Sequence, residues 1–339
     1  MPGRGAPHTH MNGRGGRRGG TPGGGRAGTG GRTGRGGRAR SGGGGRGGRG
    51  GSPAGGQRGS TPVRSRSGES PRGLGGEQVE GRHAVRELLL AGNRRTREVL
   101  LAGDLDQAPI LDDIIDLADE ARVPIRELSR SKFESLARTE APQGVVAMAA
   151  PLRDHGLEVL LQRDSSGTVP FLLLLDGITD PGNLGAILRS AECAGVTGVV
   201  LPRHRAARVT ATATKAAAGA IEHLRLASVS GLPKALGLLA EAGVWSVGLD
   251  SVGDVVVHEL AVADQPVALV MGAEGAGLSR LVRERCDTLV RIPLQGVLAS
   301  MNVSAAAAVA LFEVARPRSG AGARGRIRTD DLTLTRRLL

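Results

Sequence analysis

Apolar residues recur with two different periods between residues 78 and 315, and the alternation outlines the elements. Val79–Gly81 reads as a short strand. Arg82–Ala91 sets Val85, Leu88 and Leu89 on one helical face, and Gly92-Asn93 stops that helix. Thr96–Leu101 is a strand. Ile110–Ala121 is an amphipathic helix built on Ile110, Leu111, Ile114, Ile115, Leu117 and Ala118. Val123–Arg126 is a strand, Ser129 caps a helix through Leu136, and Val145–Ala149 is another strand. This alternation predicts a small α/β domain. Pro151–Val169 reads as a hinge, with a helical turn in its Leu157–Leu161 patch.

A second series follows. Phe171–Leu175 is a continuous apolar run, suited to a strand buried on both faces. In Asp180-Pro181-Gly182-Asn183, Pro then Gly fits the centre of a type II turn, and Asn183 caps a helix from Leu184. Val196–Leu201 completes a βαβ unit. Val267–Met271 runs into Gly272-Ala273-Glu274-Gly275-Ala276-Gly277, with a helix from about Leu278. Leu289–Ile292 runs into Pro293-Leu294-Gln295-Gly296, then Ser300-Met301-Asn302-Val303-Ser304 and a helix over Ala305–Ala315. Ligands of parallel sheets bind beyond the carboxyl ends of the strands, so these three loops are expected to converge on one pocket.

Charge divides the chain further. Residues 1–76 hold 15 Arg, one acid (Glu69) and 31 of the 55 Gly, while residues 77–315 carry a net charge of −7. The first 76 residues lack aromatic side chains and almost all large aliphatic ones, so nothing offsets their ordering entropy. The expected organisation is a disordered Gly/Arg-rich tail (1–76), a small domain (77–150), a linker (151–169), a larger α/β domain (170–315) and a second disordered tail (316–339). The tail's arginines suit salt-dependent, sequence-blind contact with phosphate. Arg82, His83, Arg94, Arg95 and Arg97 form either a basic edge for a phosphate backbone or a solvated charged face. No apolar stretch spans a bilayer, and the N-terminus lacks a secretory apolar core, which points to the cytoplasm. Cys193 and Cys286 read as buried thiols and Trp245 as a core residue. No His/Cys cluster has metal-binding spacing, so no metal is expected.

Gly272-x-x-Gly275-x-Gly277 is neither a dinucleotide fingerprint nor a Walker loop, which disfavours a Rossmann dehydrogenase. Taken singly, Asn183, Ser300 and Asn302 are also explicable as helix caps. Arg189 is also explicable as a surface residue, and Glu274 as a partner of the next helix N-terminus. Together, Asn183-Leu184-Gly185-x-x-x-Arg189, Met271-Gly272-Ala273-Glu274-Gly275, and Ile292-Pro293 with Ser300-Met301-Asn302-Val303-Ser304 resemble the three motifs of the SpoU (TrmH) family of RNA ribose 2′-O-methyltransferases. The stretch from Lys215 to Leu224 resembles the family's intervening segment. Residues 79–150 resemble the substrate-binding domain of its members that act on guanosine in 23S rRNA.

The resemblance implies a small α/β RNA-binding domain followed by an α/β-knot catalytic domain, a parallel sheet whose C-terminal part forms a trefoil knot. It implies S-adenosyl-L-methionine as cofactor, 23S rRNA or another structured RNA as partner, and a homodimer with sites near its interface. Gly272, Ile292 and Met301 would hold the cofactor. Asn183, Arg189, Glu274, Ser300 and Asn302 would surround the ribose and the transferring methyl. Met301 stands where the family usually has Leu, a near volume-conserving change. Pro142 stands where His is common before Gln143-Gly144. The sequence leaves two other outcomes: the same chemistry on tRNA or another rRNA site, or an RNA-binding or ribosome-assembly factor without turnover.

Overall fold

The computed structural model describes residues 73–163, 167–204, 207–298 and 300–318. Nearly all of the Gly/Arg tail and most of the C-terminal tail lie outside these residues, as does any phosphate contact the first tail makes.

The first sheet contains β1 (Gln78–Glu80), β2 (Thr96–Ala102), β3 (Ile125–Leu128) and β4 (Val145–Ala149), in the order β1-β4-β2-β3. Strand β4 pairs antiparallel with β1 and β2, whereas β3 runs parallel to β2. Helices α1 (Arg82–Ala91) and α2 (Pro109–Glu120) cover one face through Val85, Leu88, Ile114 and Ala118. Helix α3 (Arg130–Leu136) covers the other through Phe133, against Leu100 and Val146. Ser129 occupies the N-cap position of α3 without a side-chain hydrogen bond.

The linker is not a free hinge. Its helix α4 (Leu157–Leu160) buries Leu157 and Leu160 in the core of the larger sheet, and Asp154 bridges alongside Leu226. Leu74, which composition groups with the tail, is also buried in the larger core.

The second sheet is parallel throughout. It contains β5 (Phe171–Asp176), β6 (Gly198–Pro202), β7 (Leu226–Val229), β8 (Trp245–Leu249), β9 (Val255–Val256), β10 (Val267–Gly272) and β11 (Thr288–Arg291). Their order is β7-β6-β5-β10-β8-β11-β9. Helices α5 (Pro181–Cys193), α6 (Ala211–Ala217) and α9 (Val303–Arg318) pack on one face. Helices α4, α7 (Leu232–Glu241) and α8 (Arg280–Arg285) pack on the other. The central strands are therefore covered twice, and Phe171 to Leu175 are all buried, as a continuous apolar run requires.

Strand β11 lies between β8 and β9, which are consecutive in the chain. It passes beneath the loop joining them: Arg291 Nη1 donates to Gly253 O at 2.6 Å and Asp254 O at 2.8 Å. A Cβ on Gly253 would meet the Val290 carbonyl carbon at 2.5 Å, so the backbones touch there.

The two sheets are joined by a buried ion pair. Arg94 donates from Nε to Glu222 Oε2 at 2.8 Å and from Nη2 to Oε1 at 2.6 Å. Its Nη1 reaches Gly76 O and Ala150 O, and Asn93 Nδ2 donates to Glu222 O. The side chains of Arg94 and Glu222 are 7% and 2% exposed. Arg94 is thus withdrawn from the expected basic edge, because a buried carboxylate across the seam needs a charged partner.

Two single-residue expectations are corrected. Trp245 opens β8 and is 46% exposed, since its strand enters the sheet there rather than crossing its middle. Cys193, last residue of α5, is exposed because it falls outside the helix's buried stripe, which runs through Leu184, Ile187, Leu188 and Ala191.

Candidate active site

The carboxyl ends of β5, β10, β8 and β11 meet at one place, and each loop there has a local cause for its shape. After β5, helix α5 starts at Pro181, whose missing N–H costs nothing in the first turn. Asp180 caps the helix and accepts from Asn183 N at 2.6 Å. Pro181 and Gly182 are therefore helical rather than the centre of a type II turn, and Asn183 lies within the first turn rather than at the cap. With its backbone held by Asp180, the Asn183 amide faces out of the sheet's end.

After β10, residues 273–277 close on themselves through Ala273 N to Gly277 O (3.0 Å) and Gly277 N to Ala273 O (2.9 Å). Gly275 and Gly277 take the left-handed φ values of 76° and 66° that this closure needs. Gly272 lies against the returning strand of the loop: a Cβ there would stand 2.1 Å from Gly277 C and 2.3 Å from Leu278 N. Asp176, at the end of β5, accepts from Ser279 N at 2.7 Å and ties the loop to the neighbouring strand.

After β11, Asn302 caps α9 by accepting from Ser304 N at 2.9 Å. Its Nδ2 donates to Asn183 Oδ1 at 3.1 Å. Asn183 Nδ2 in turn donates to Glu274 Oε2 at 3.1 Å. Three side chains separated by 91 and 119 residues are thereby joined in one chain of hydrogen bonds. Capping and site membership are not alternatives for Asn302, because its two amide atoms serve one each.

Beside this trio opens a cleft of about 510 Å³, within the range of small-molecule sites. Gly272, Glu274, Ile292, Ser300 and Met301 all line it. Its further wall, Leu249 to Val252 after β8, was not expected from the sequence. Arg283 Nε and Asp250 Oδ2 pair at 3.2 Å along this wall. Asp250-Ser251-Val252-Gly253 after an apolar run is the signal that would have pointed to it. Cys286, behind the cleft at Gly248, is a half-buried thiol pushed up to about 12 by burial, with Asp287 and Asp176 adding to the effect.

Arg189 is not brought to the trio. It is exposed on α5 and lines a separate cleft of about 360 Å³ with His83, Glu87, Cys193 and His223. Six residues of helix place it ~9 Å along the axis from Asn183.

Against this geometry, two family models match the chain. The SpoU rRNA methylase family matches residues 170–312, and an RNA 2′-O ribose methyltransferase substrate-binding family matches residues 78–155. The 23S rRNA (guanosine-2′-O-)-methyltransferase RlmB of Pseudomonas aeruginosa is 41% identical over 246 residues, covering 72% of this chain and 97% of that protein. The Escherichia coli K12 protein of the same name is 39% identical over 243 residues, covering 72% of this chain and 99% of its own. Among solved structures, the SpoU methyltransferase AviRb from Streptomyces viridochromogenes in complex with the cofactor AdoMet superposes with a TM-score of 0.61 at 28% identity, covering 71% of this chain and 89% of that one. With both sheets matched in order and the relatives covered almost end to end, the chain belongs to the SpoU rRNA methylase family.

Proposed function

We propose that this protein methylates a ribose 2′-hydroxyl of a guanosine in 23S rRNA, using S-adenosyl-L-methionine. The observation that carries the reading is the Asn183–Glu274–Asn302 trio at the mouth of the cleft lined by Gly272, Ile292 and Met301. The residues fit the cofactor: the cleft has the volume for a nucleoside with a short side chain, Gly272 keeps its floor flat, and Ile292 and Met301 give it apolar walls. When bound, the cofactor supplies a sulfonium methyl group to an attacking oxygen.

The chain's own residues then act mainly by positioning. Asn183 and Asn302 have amide groups to orient the ribose, and Glu274 fixes Asn183 while offering a second carboxylate oxygen to a hydroxyl. Ser300 adds a hydroxyl to the lining of the same cleft. Arg189 lines a separate cleft of the single chain, so its proposed part in orienting a ribose or phosphate and stabilising the developing alkoxide requires that the RNA, or the second copy of the proposed homodimer, bridge that cleft and the trio. A guanidinium is a poor base, so solvent or phosphate takes the 2′-hydroxyl proton.

Residues 77–150 are the proposed RNA substrate-binding domain, 151–169 the linker and 170–315 the catalytic domain. The passage of β11 beneath the 250–254 loop supports the trefoil knot. Val309 and Phe312, exposed on α9, supply an apolar surface for the proposed homodimer. No helix among the described residues is long and apolar enough to cross a membrane. The proposed place in the cytoplasm follows from the proposed RNA substrate.

The test is transfer of labelled methyl from S-adenosylmethionine to 23S rRNA, 16S rRNA and tRNA, with Arg189→Ala beside the wild type. Label on 23S rRNA alone, lost in the variant, is expected. Label on tRNA overturns the substrate. Cofactor binding without label on any RNA overturns the enzyme reading in favour of a binding factor.

A further inference from the structure

The larger sheet ends at β7, and this edge carries charge that the methyl-transfer site does not use. Arg153 and His155 arrive from the linker, which runs beside β7 through the Asp154–Leu226 bridge and the bond from His155 N to Leu226 O. Arg225 precedes β7, Arg203 follows β6, and Lys234 stands in the first turn of α7. Arg95, in the smaller domain, joins the same run, since its carbonyl accepts from Ala150 N at 2.8 Å. His155, Arg203 and Lys234 share a cavity of about 600 Å³.

Arg95, Arg153, Arg203, Arg225 and Lys234 are all exposed, and none forms a salt bridge among the described residues, although Arg203 Nε donates to Ser228 Oγ at 3.3 Å. Some arginines elsewhere on the surface, among them Arg126, Arg130 and Arg280, are paired with carboxylates, while others, such as Arg97, Arg122 and Arg138, also stand outside the salt bridges of the described residues but are not gathered at one edge of the larger sheet. Two carboxylates do face this edge. Asp154 is occupied by Ser228, which donates to it from N and Oγ, and by Gly156 N. Glu158 lies beyond it at the start of α4. The local field remains positive: burial first, then Arg153 and Arg225, hold the His155 imidazole below its ordinary pKa.

We infer that this edge is a phosphate track for the RNA substrate, running from Arg95 across Arg153 and Arg225 to Arg203 and Lys234. The inference rests on the RNA methyltransferase reading and extends it to a surface outside the methyl-transfer site. Two features favour RNA backbone. The cations are carried by successive segments along one edge, from the linker past β7 to the start of α7, and extend beyond the cavity that Arg203 and Lys234 share, as a polyanion requires. Arg203 and Lys234 lie on the carboxyl side of the sheet, where Asn183 also lies, and β7 is two strand spacings, ~10 Å, from β5. The row also answers a charge problem: a net −7 over residues 77–315 repels RNA unless cations are gathered locally.

The test compares full-length wild type with an Arg153→Ala/Arg225→Ala/Lys234→Ala variant, using a 23S rRNA transcript across ~0.1 to ~1 M salt. A second variant, Arg126→Ala/Arg130→Ala/Arg280→Ala, removes the same charge from paired positions. Each phosphate contact contributes ~0.7–0.9 to the slope of log K against log salt. The first variant is therefore expected to have a slope shallower by about 2, weakening RNA binding on the order of 100-fold at the low-salt end relative to the high. KM for RNA rises, while kcat at saturating RNA and S-adenosylmethionine affinity stay at wild-type values. An unchanged slope in the first variant, or an equal loss in both, overturns the track. A wild type that binds S-adenosylmethionine but methylates no RNA overturns the parent reading instead.

Discussion

Removing Arg94 is expected to cost the protein much of its stability. The guanidinium makes two hydrogen bonds to the Glu222 carboxylate, at 2.6 and 2.8 Å, and two more to the Gly76 and Ala150 carbonyls. Arg94→Ala leaves a carboxylate that is 2% exposed without its counter-charge, and two carbonyls without a donor. Breaking a buried pair from one side costs about 3–5 kcal/mol, and the stranded carbonyls place this case toward the upper end. Arg94→Lys keeps the charge but not the fork, and falls between Ala and wild type. Replacing both partners, as Arg94→Met/Glu222→Leu, removes the stranded charge and recovers most of the loss. Urea denaturation of the four proteins measures these differences. If Arg94→Ala costs less than about 1 kcal/mol, the value of an exposed pair, the seam is not a buried ionic contact and the reasoning fails.

Other expectations follow from the site. Gly272→Ala drives a methyl into Gly277 and Leu278 backbone, so calorimetry should show S-adenosylmethionine binding lost while Gly237→Ala, with open space around it, binds normally. Glu274→Gln keeps a hydrogen-bonding oxygen but loses the charge; cofactor affinity should persist while kcat falls ~100-fold, and an unchanged kcat would remove Glu274 from the ribose site. With the Cys286 pKa at about 12, fewer than ~1 in 1,000 of its thiols are ionised at a pH near 8.5, so alkylation should label exposed Cys193 first; equal rates would contradict the burial. The same elevated pKa means that Cys286 favours the fold while protonated. That contribution is complete below about 9 and is lost as pH rises toward 12, which a comparison with Cys286→Ala would show in alkaline denaturation.

Local pattern carried much of this architecture. Arg82–Ala91 and Val145–Ala149 have the same bounds in the sequence reading and in the structure, and Phe171–Leu175 extends by one residue. These segments bury a stripe or both faces, so periodicity and apolar continuity report them directly. Helices α6 and α7 and strand β7 drew no assignment. The Ala/Thr composition of α6 gives little amphipathic contrast, and β7 is a four-residue edge strand. The pattern predicts that α5 starts at Leu184, three residues late, because Pro-Gly reads equally as a turn or as the first helical turn; the Asp180 side chain decides between them by satisfying the Asn183 N–H.

The sequence by itself determined that Asn183, Glu274 and Asn302 stand in loops that follow apolar strands, and the family resemblance marked them as candidates, because side-chain type and loop position can be read without coordinates. What only the tertiary structure decided is how loops distant in the chain meet. Strand order placed β10 beside β5 and β11 beyond β8, which brought Glu274 and Asn302 onto Asn183 and set the β8 loop as a wall. The same assembly left Arg189 in a different cleft and turned Arg94 from a candidate surface cation into a buried partner of Glu222. Spacing along a chain specifies local conformation, whereas contacts between remote segments depend on which strands pair, and that is settled by packing across the whole core.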